Sequence, residues 1–192
     1  MPPHNPGDNP NTPANHSHGV AGDLWNLYAI LHGSSTSLNT THVGDTVAIF
    51  KPSSQKMSAE PQLITDIGQE LIIQARFSNP VNIKRICIVG GVDAANTATH
   101  PARVRCFVNS DGIDFSNASQ IMQCAQEFDL PPNATGKHEV VLRPREFAKV
   151  EMLTLYFPRN HGGGEVTTIS YIGLMGDHTH TSAATTAIPK SC

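Results

Sequence analysis

Apolar and polar positions alternate in short bursts along most of this chain. Residues 71–77 and 81–89 form two apolar runs separated by Ser78-Asn79-Pro80. Turn-forming residues between two such runs predict a hairpin or a crossing from one sheet to another. In residues 102–109, Val104, Cys106 and Val108 fall on one face and Arg103, Arg105 and Phe107 on the other, which is the two-residue period of a strand. Ser110-Asp111-Gly112 then turns the chain. Further strands are predicted at 46–50, 122–128, 139–142, 150–157 and 167–175. One stretch has a helical period instead: Leu24, Leu27, Tyr28 and Leu31 recur on one face, with Asp23 suited to cap the start and Gly33 the stop. Many short strands with turns between them predict an all-β sandwich or jelly roll with a short N-terminal helix, and no internal repeat is visible.

The ends of the chain lack this pattern. Residues 1–22 are rich in Pro, Asn, Gly and His and have almost nothing to bury, which predicts a disordered tail. Residues 23–177 are expected to form the single β-sandwich domain, and residues 178–192, small and polar, a flexible C-terminal tail.

Composition narrows the class. A chain of 192 residues can bury one real core. Its net charge of −3 argues against binding to a nucleic-acid backbone, which needs clustered Lys and Arg. No apolar run is long enough to span a bilayer, so no membrane association is expected. The N-terminal residues lack a basic stretch followed by an apolar one, and no Lys or Arg precedes Lys51, so neither a secretory nor a mitochondrial leader is predicted. A reducing cytoplasm, or also the nucleus, is the expected compartment.

Candidate chemistry is sparse. Cys87, Cys106, Cys124 and Cys192 form no Cys-x-x-Cys pair, so thioredoxin-type dithiol chemistry and zinc-ribbon spacing are both absent. Cys87 and Cys106 lie in apolar runs and read as buried thiols, with their pairing left open. The pairs His16/His18 and His178/His180 sit in the tails and read as solvated side chains, not as a framed metal site. His100 with Asp93 has the residue types of a general base and its orienting acid, but loop polarity accounts for both. Gly162-Gly163-Gly164 is followed by Glu165 and a strand, whereas a phosphate-binding loop continues with Lys-Ser/Thr into a helix. Arg103, Arg105, Arg143, Arg145 and Arg159 read as an outward, solvated set, with protein contact a further use for them. No catalytic residue, metal or cofactor is expected.

A set of blocks in fixed order resembles one known family. Leu27-Tyr28 with Leu38-Asn39, Ile49-Phe50-Lys51-Pro52, residues 70–73, residues 81–86, His100-Pro101 with Arg105, Phe107 and Asn109, Asp114-Phe115-Ser116, Phe157 to Asn160, and Tyr171-Ile172-Gly173-Leu174-Met175-Gly176-Asp177 are similar to the PITH (proteasome-interacting thioredoxin) family. Two positions depart from its pattern: Ser53 stands where the family usually has Trp, and Asp177 where Glu is common. The resemblance implies a galactose-binding-like jelly roll acting as a non-enzymatic protein-interaction module. The implied partner is the regulatory particle of the 26S proteasome or a similar cytosolic assembly. A carbohydrate- or small-molecule-binding module of the same architecture is the alternative. Lys51, His100 and Asn160 are expected at exposed strand ends and Arg105 on an outward sheet face, as partner-binding residues.

Overall fold

The computed structural model describes residues 25–41, 46–121 and 123–178. Nine strands carry this described part: β1 (Thr36–Leu38), β2 (Leu63–Ile64), β3 (Leu71–Val89), β4 (Arg103–Val108), β5 (Gln126–Asp129), β6 (Val140–Val141), β7 (Val150–Phe157), β8 (Thr168–Ile169) and β9 (Tyr171–His178). Every pair among them is antiparallel. The fold is the expected all-β jelly roll. The expected tails at 1–22 and 179–192 lie outside the described residues.

β3 belongs to two layers. Its first half pairs with β1 and β7, and β7 continues to β4 and β5. Its second half, from Val81, pairs with β9 on one side and β6 on the other. The change of partner falls at Ser78-Asn79-Pro80, where the β3–β7 register jumps from Arg76 opposite Met152 to Val81 opposite Val150. The sheet-to-sheet crossing, one of the two readings of that turn, is the one adopted. Proline lacks an N–H for the ladder, so a break in pairing is where it fits.

Ile73, Ala75, Ile83, Ile86, Leu153, Leu155 and Ile172 are buried between the layers. The outer faces are covered too. Ile72, Phe107 and Tyr156 pack under Ile113 and Ala118 from the β4–β5 connection, and Cys87, Val89 and Tyr171 pack with Trp25. Burial on both faces is why β3 and β7 read as nearly continuous apolar runs.

A second irregularity lies in β3. Ile83 is opposite Gly176 while Arg85 is opposite Met175, so Lys84 is an extra residue, a β-bulge. The inward set therefore changes parity, from Val81 and Ile83 to Ile86 and Ile88. Gly176 lies against the bulge so closely that a Cβ there would stand 1.9 Å from the Asn82 carbonyl oxygen.

Three expected elements differ. The single strand at 167–175 is split at Ser170 into β8, paired with β2, and β9, paired with β3. The helix from Asp23 is a single 3-10 turn, Leu27–Ile30, whose Leu27 is fully buried; Asp23 and Leu24 lie outside the described residues. Leu31 turns extended and bridges to Phe77, so sheet pairing replaces the next helical turn. The strand expected at 46–50 is a 3-10 turn, Val47–Ile49. Ile49 and Phe50, adjacent in sequence, are both buried, which the turn permits and a strand with one solvated face does not.

Gly176→Ala should destabilise the fold by at least about 2 kcal/mol, because backbone must move to relieve the contact. Gly164→Ala, with open space at that position, should stay within about 0.5 kcal/mol in the same denaturant titration.

Candidate functional site

The strand order gathers three connections at one end of the sandwich: residues 90–102 after β3, 130–139 after β5 and 158–167 after β7. Residues 51–62, which precede β2, join them. The short β2–β8 ladder and the bond between Thr99 Oγ1 and Thr168 Oγ1 (2.9 Å) hold this end together. Between the connections lies a groove of about 350 Å³, with Ala59, Ile64, Val92, Asp93, Val166 and Thr168 among its walls.

Three of the four sequence-predicted residues build this end. Lys51 is buried, and its Nζ donates to the carbonyls of Ser58 (3.1 Å) and Glu60 (3.2 Å). It thus closes the 51–60 loop on itself. Burial lowers the Lys51 pKa, and the Glu60 carboxylate partly opposes that shift. Asn160 is buried and bridges to Pro101. Its Nδ2 donates to Gly164 O (2.9 Å) and Val166 O (2.8 Å), and its own N–H donates to Gln69 Oε1 (3.0 Å). The Asn160 side chain therefore shapes the glycine loop, and its backbone N–H ties that loop to the Gln69 side chain.

His100 is 1% exposed and neither ring nitrogen makes a hydrogen bond. Gly90 is in contact with its ring: a Cβ at that position would lie 2.5 Å from the imidazole Cγ. Burial lowers the His100 pKa; His161 adds to the shift and Asp93 opposes it. Asp93 Oδ1 instead accepts the Ala95 N–H (2.9 Å), so this pair is not a hydrogen-bonded base and acid.

Arg105 lies apart, on the outer face of the β1-β3-β7-β4-β5 layer. The strand period assigns the face correctly, but residues 113–121 cover it and leave Arg105 8% exposed. Its guanidinium donates to the carbonyls of Ala118 and Ile121, approaches Glu127 at 3.5 Å and lies 5.5 Å from the centre of the Phe107 ring. The expectation that these four side chains are exposed is thus corrected. Each satisfies backbone groups or fills packed space within its own chain, and those demands are met only by burial.

Sequence reasoning missed the residues exposed at this end. Ile67 is 80% exposed at a turn whose Gly68 has φ +74°, while Asn39 holds that turn by donating to Ile67 O (2.8 Å) and accepting Ile67 N–H (2.9 Å). The available signal was an isoleucine inside Asp66-Ile67-Gly68, a turn sequence with no strand period. Cys87, Cys106 and Cys124 are free thiols. Cys106 is in the inter-layer core and Cys87 on the outer face of β3, so the two do not pair. Burial pushes the Cys87 thiol up to about 11 and raises Cys106 further. Among the described residues, no group of three or more His, Cys, Asp or Glu side chains is placed to hold a metal ion, and no helix is long and apolar enough to cross a membrane.

Comparison with known proteins places this architecture. The PITH domain model matches residues 20–191. The chain belongs to the PITH domain family. It is 32% identical over 168 residues to PITH domain-containing protein 1 of Dictyostelium discoideum, covering 86% of this chain and 80% of that one. It is 28% identical over 142 residues to PITH domain-containing protein 1 of Homo sapiens, covering 74% and 64%. Among solved structures it resembles the family 32 CBM from Clostridium perfringens NanJ in complex with galactose (TM-score 0.52, 8% identity, 77% of this chain and 95% of that chain). A Streptococcus pneumoniae fucose binding module is also similar (TM-score 0.52, 7% identity, 77% and 96%). At such identities these neighbours show the galactose-binding-like jelly-roll fold and nothing further.

The burial of these PITH-domain residues has measurable consequences. Arg105→Glu and Lys51→Glu should each lower stability by roughly 2 kcal/mol or more, since they leave buried carbonyls unpaired and place a carboxylate beside them; chemical denaturation with unchanged m would register it. His100 has a folded pKa below the unfolded value of about 6.5, so the unfolded chain takes up its proton first and stability falls as pH drops below that value. His100→Phe should flatten this part of the melting-temperature profile between neutral and mildly acidic pH.

Proposed function

We propose that this PITH domain is a protein-interaction module without catalysis of its own, and that its partner is the regulatory particle of the 26S proteasome or a similar cytosolic assembly. Cytoplasm, and also nucleus, is the compartment this reading implies. The observation that carries it is the family match across residues 20–191. A physical argument supports it: the connections at one end are fixed by buried side-chain bonds from Lys51 and Asn160, so a surface is presented already ordered. In this reading Lys51, His100 and Asn160 act on the partner through the loops they position, and Arg105 through the 113–121 segment it fastens.

A second reading, a carbohydrate- or small-molecule-binding module, is favoured by the fucose- and galactose-binding modules among the fold neighbours. Against it, none of the residues that form the groove walls is aromatic, so the groove offers no ring for a sugar to stack on. Purified regulatory particle mixed with purified, tagged chain and resolved by size should co-migrate with it, while a glycan array bearing galactose, GalNAc and fucose should stay dark. Glycan binding without co-migration would replace the first reading with the second.

A further inference from the structure

The end of the sandwich that holds the groove differs from the rest of the surface in two ways. Large hydrophobic side chains are exposed, among the described residues, at Leu38, Met57, Ile67, Val141 and Val166, and all but Val141 lie at this end. The groove itself is walled by Ala59, Ile64, Val92 and Val166. Leaving such side chains in water gives up the stabilisation their burial would bring, and exposed apolar side chains at one end of a domain are a feature of interaction surfaces.

At the groove's lining positions and the positions next to them the exposed charges have one sign, while Lys56, Lys137 and Arg159 stand elsewhere at this end. Asp93 lines it, and Glu60 and Glu165 are next in sequence to the lining residues Ala59 and Val166. All three carboxylates are exposed, and none makes a salt bridge among the described residues. No Lys or Arg occupies a lining position or the position next to one. Lys51, which feels the Glu60 charge, is buried and spends its donors on loop carbonyls. His100, which neighbours Thr99, is buried with its pKa lowered and adds no fixed positive charge. Several acids elsewhere are paired, Glu127 and Asp129 with Arg103, Glu139 with Arg85 and Asp177 with Lys84, whereas Asp114, Glu146 and Glu151 make no salt bridge among the described residues either.

The walls are also held in place. Thr65 Oγ1 donates to Glu165 O (3.3 Å) and accepts the Thr167 N–H (2.9 Å), and Thr167 Oγ1 donates to Gln69 O (2.7 Å). The Ile67 turn and the Val166 wall are therefore fastened to each other by hydrogen bonds, and a ligand meets a preformed surface.

We propose that this groove is the docking site for an extended protein segment that carries an aliphatic side chain flanked by lysine or arginine. The aliphatic group enters between Ala59, Ile64 and Val166, and the flanking cations meet Glu60, Asp93 and Glu165. This names the chemistry of the partner segment for the interaction module proposed above and rests on that reading.

The test uses the full chain and short labelled peptides with a central leucine or valine, flanked by lysine and arginine, by glutamate or by serine, read by fluorescence polarisation. Peptides with basic flanks should bind, those with acidic flanks should not, and added salt should weaken binding. Asp93→Asn, which retains an acceptor for the Ala95 N–H, combined with Glu165→Lys should reduce affinity about tenfold or more. Val166→Ser should weaken binding through the apolar wall, and Glu151→Lys, on a different exposed surface, should leave it unchanged. A wild-type melting temperature confirms that each variant is folded. No preference for basic flanks, or binding unaffected by the groove variants, overturns the proposal. A second arm separates it from the broader reading. If the chain captures purified proteasome regulatory particle and the groove variants do so equally well, the groove assignment fails and the interaction-module reading stands. If the basic aliphatic peptides bind as expected but no regulatory particle is captured, the groove stands and the proteasome partner fails.

Discussion

Because β3 hydrogen-bonds in both layers, the positions of the two layers are not independent. Its first half fixes β1 and β7, its second half fixes β6 and β9, and the turn at Ser78-Asn79-Pro80 sets how one layer lies over the other. The core between them, from Ile73 and Ala75 to Ile86 and Ile88, is formed by the two halves of this one strand facing each other with β7 and β9. Apolar burial stabilises the sandwich, but it is non-directional; the ladder on β3 supplies the register. The bulge at Lys84 keeps both halves inward-facing after the crossing, and at position 176 only glycine is small enough to lie against it.

That geometry also places the groove. β3 starts and finishes at the same end of the molecule, where Leu71 lies opposite Phe157 and Val89 opposite Tyr171. The connections that follow β3 and β7 therefore meet there. They have little strand pairing of their own, so their carbonyls and N–H groups are satisfied by side chains: Lys51 in one loop, Asn160 in another, Asn39 and Thr167 at their junction. Buried polar residues in these positions are scaffolding for loops, which explains why charged and amide side chains sit where a simple hydrophobic pattern would put none.

The strands are largely legible from periodicity. The pattern delimits residues 150–157 as they are found, offers the β3 crossing as one of two readings of its turn, and assigns the faces of 102–109 correctly. Alternation reports which side of a strand a residue takes, not what covers that side. Arg105 therefore reads as outward and solvated, while the 113–121 segment makes it buried. The same limit applies at strand ends: nothing local in Phe50-Lys51-Pro52 shows that the Lys51 chain folds back on Ser58 and Glu60, and the depth of His100 depends on Gly90 against its ring. The groove is illegible for a further reason. Its walls come from stretches far apart in sequence, and their shared lack of cations emerges only when the fold assembles them.

The division of labour at the turn of residues 66–70 has an evolutionary consequence. Asn39 and Thr167 hold its backbone from outside the loop, so the exposed side chain at Ile67 has no part in maintaining the shape that displays it. Positions of this kind are free to vary without cost to folding, whereas their distant braces are not. Related domains can thus acquire new contacts by changing the tips alone, with the same frame presenting a different chemistry to the outside.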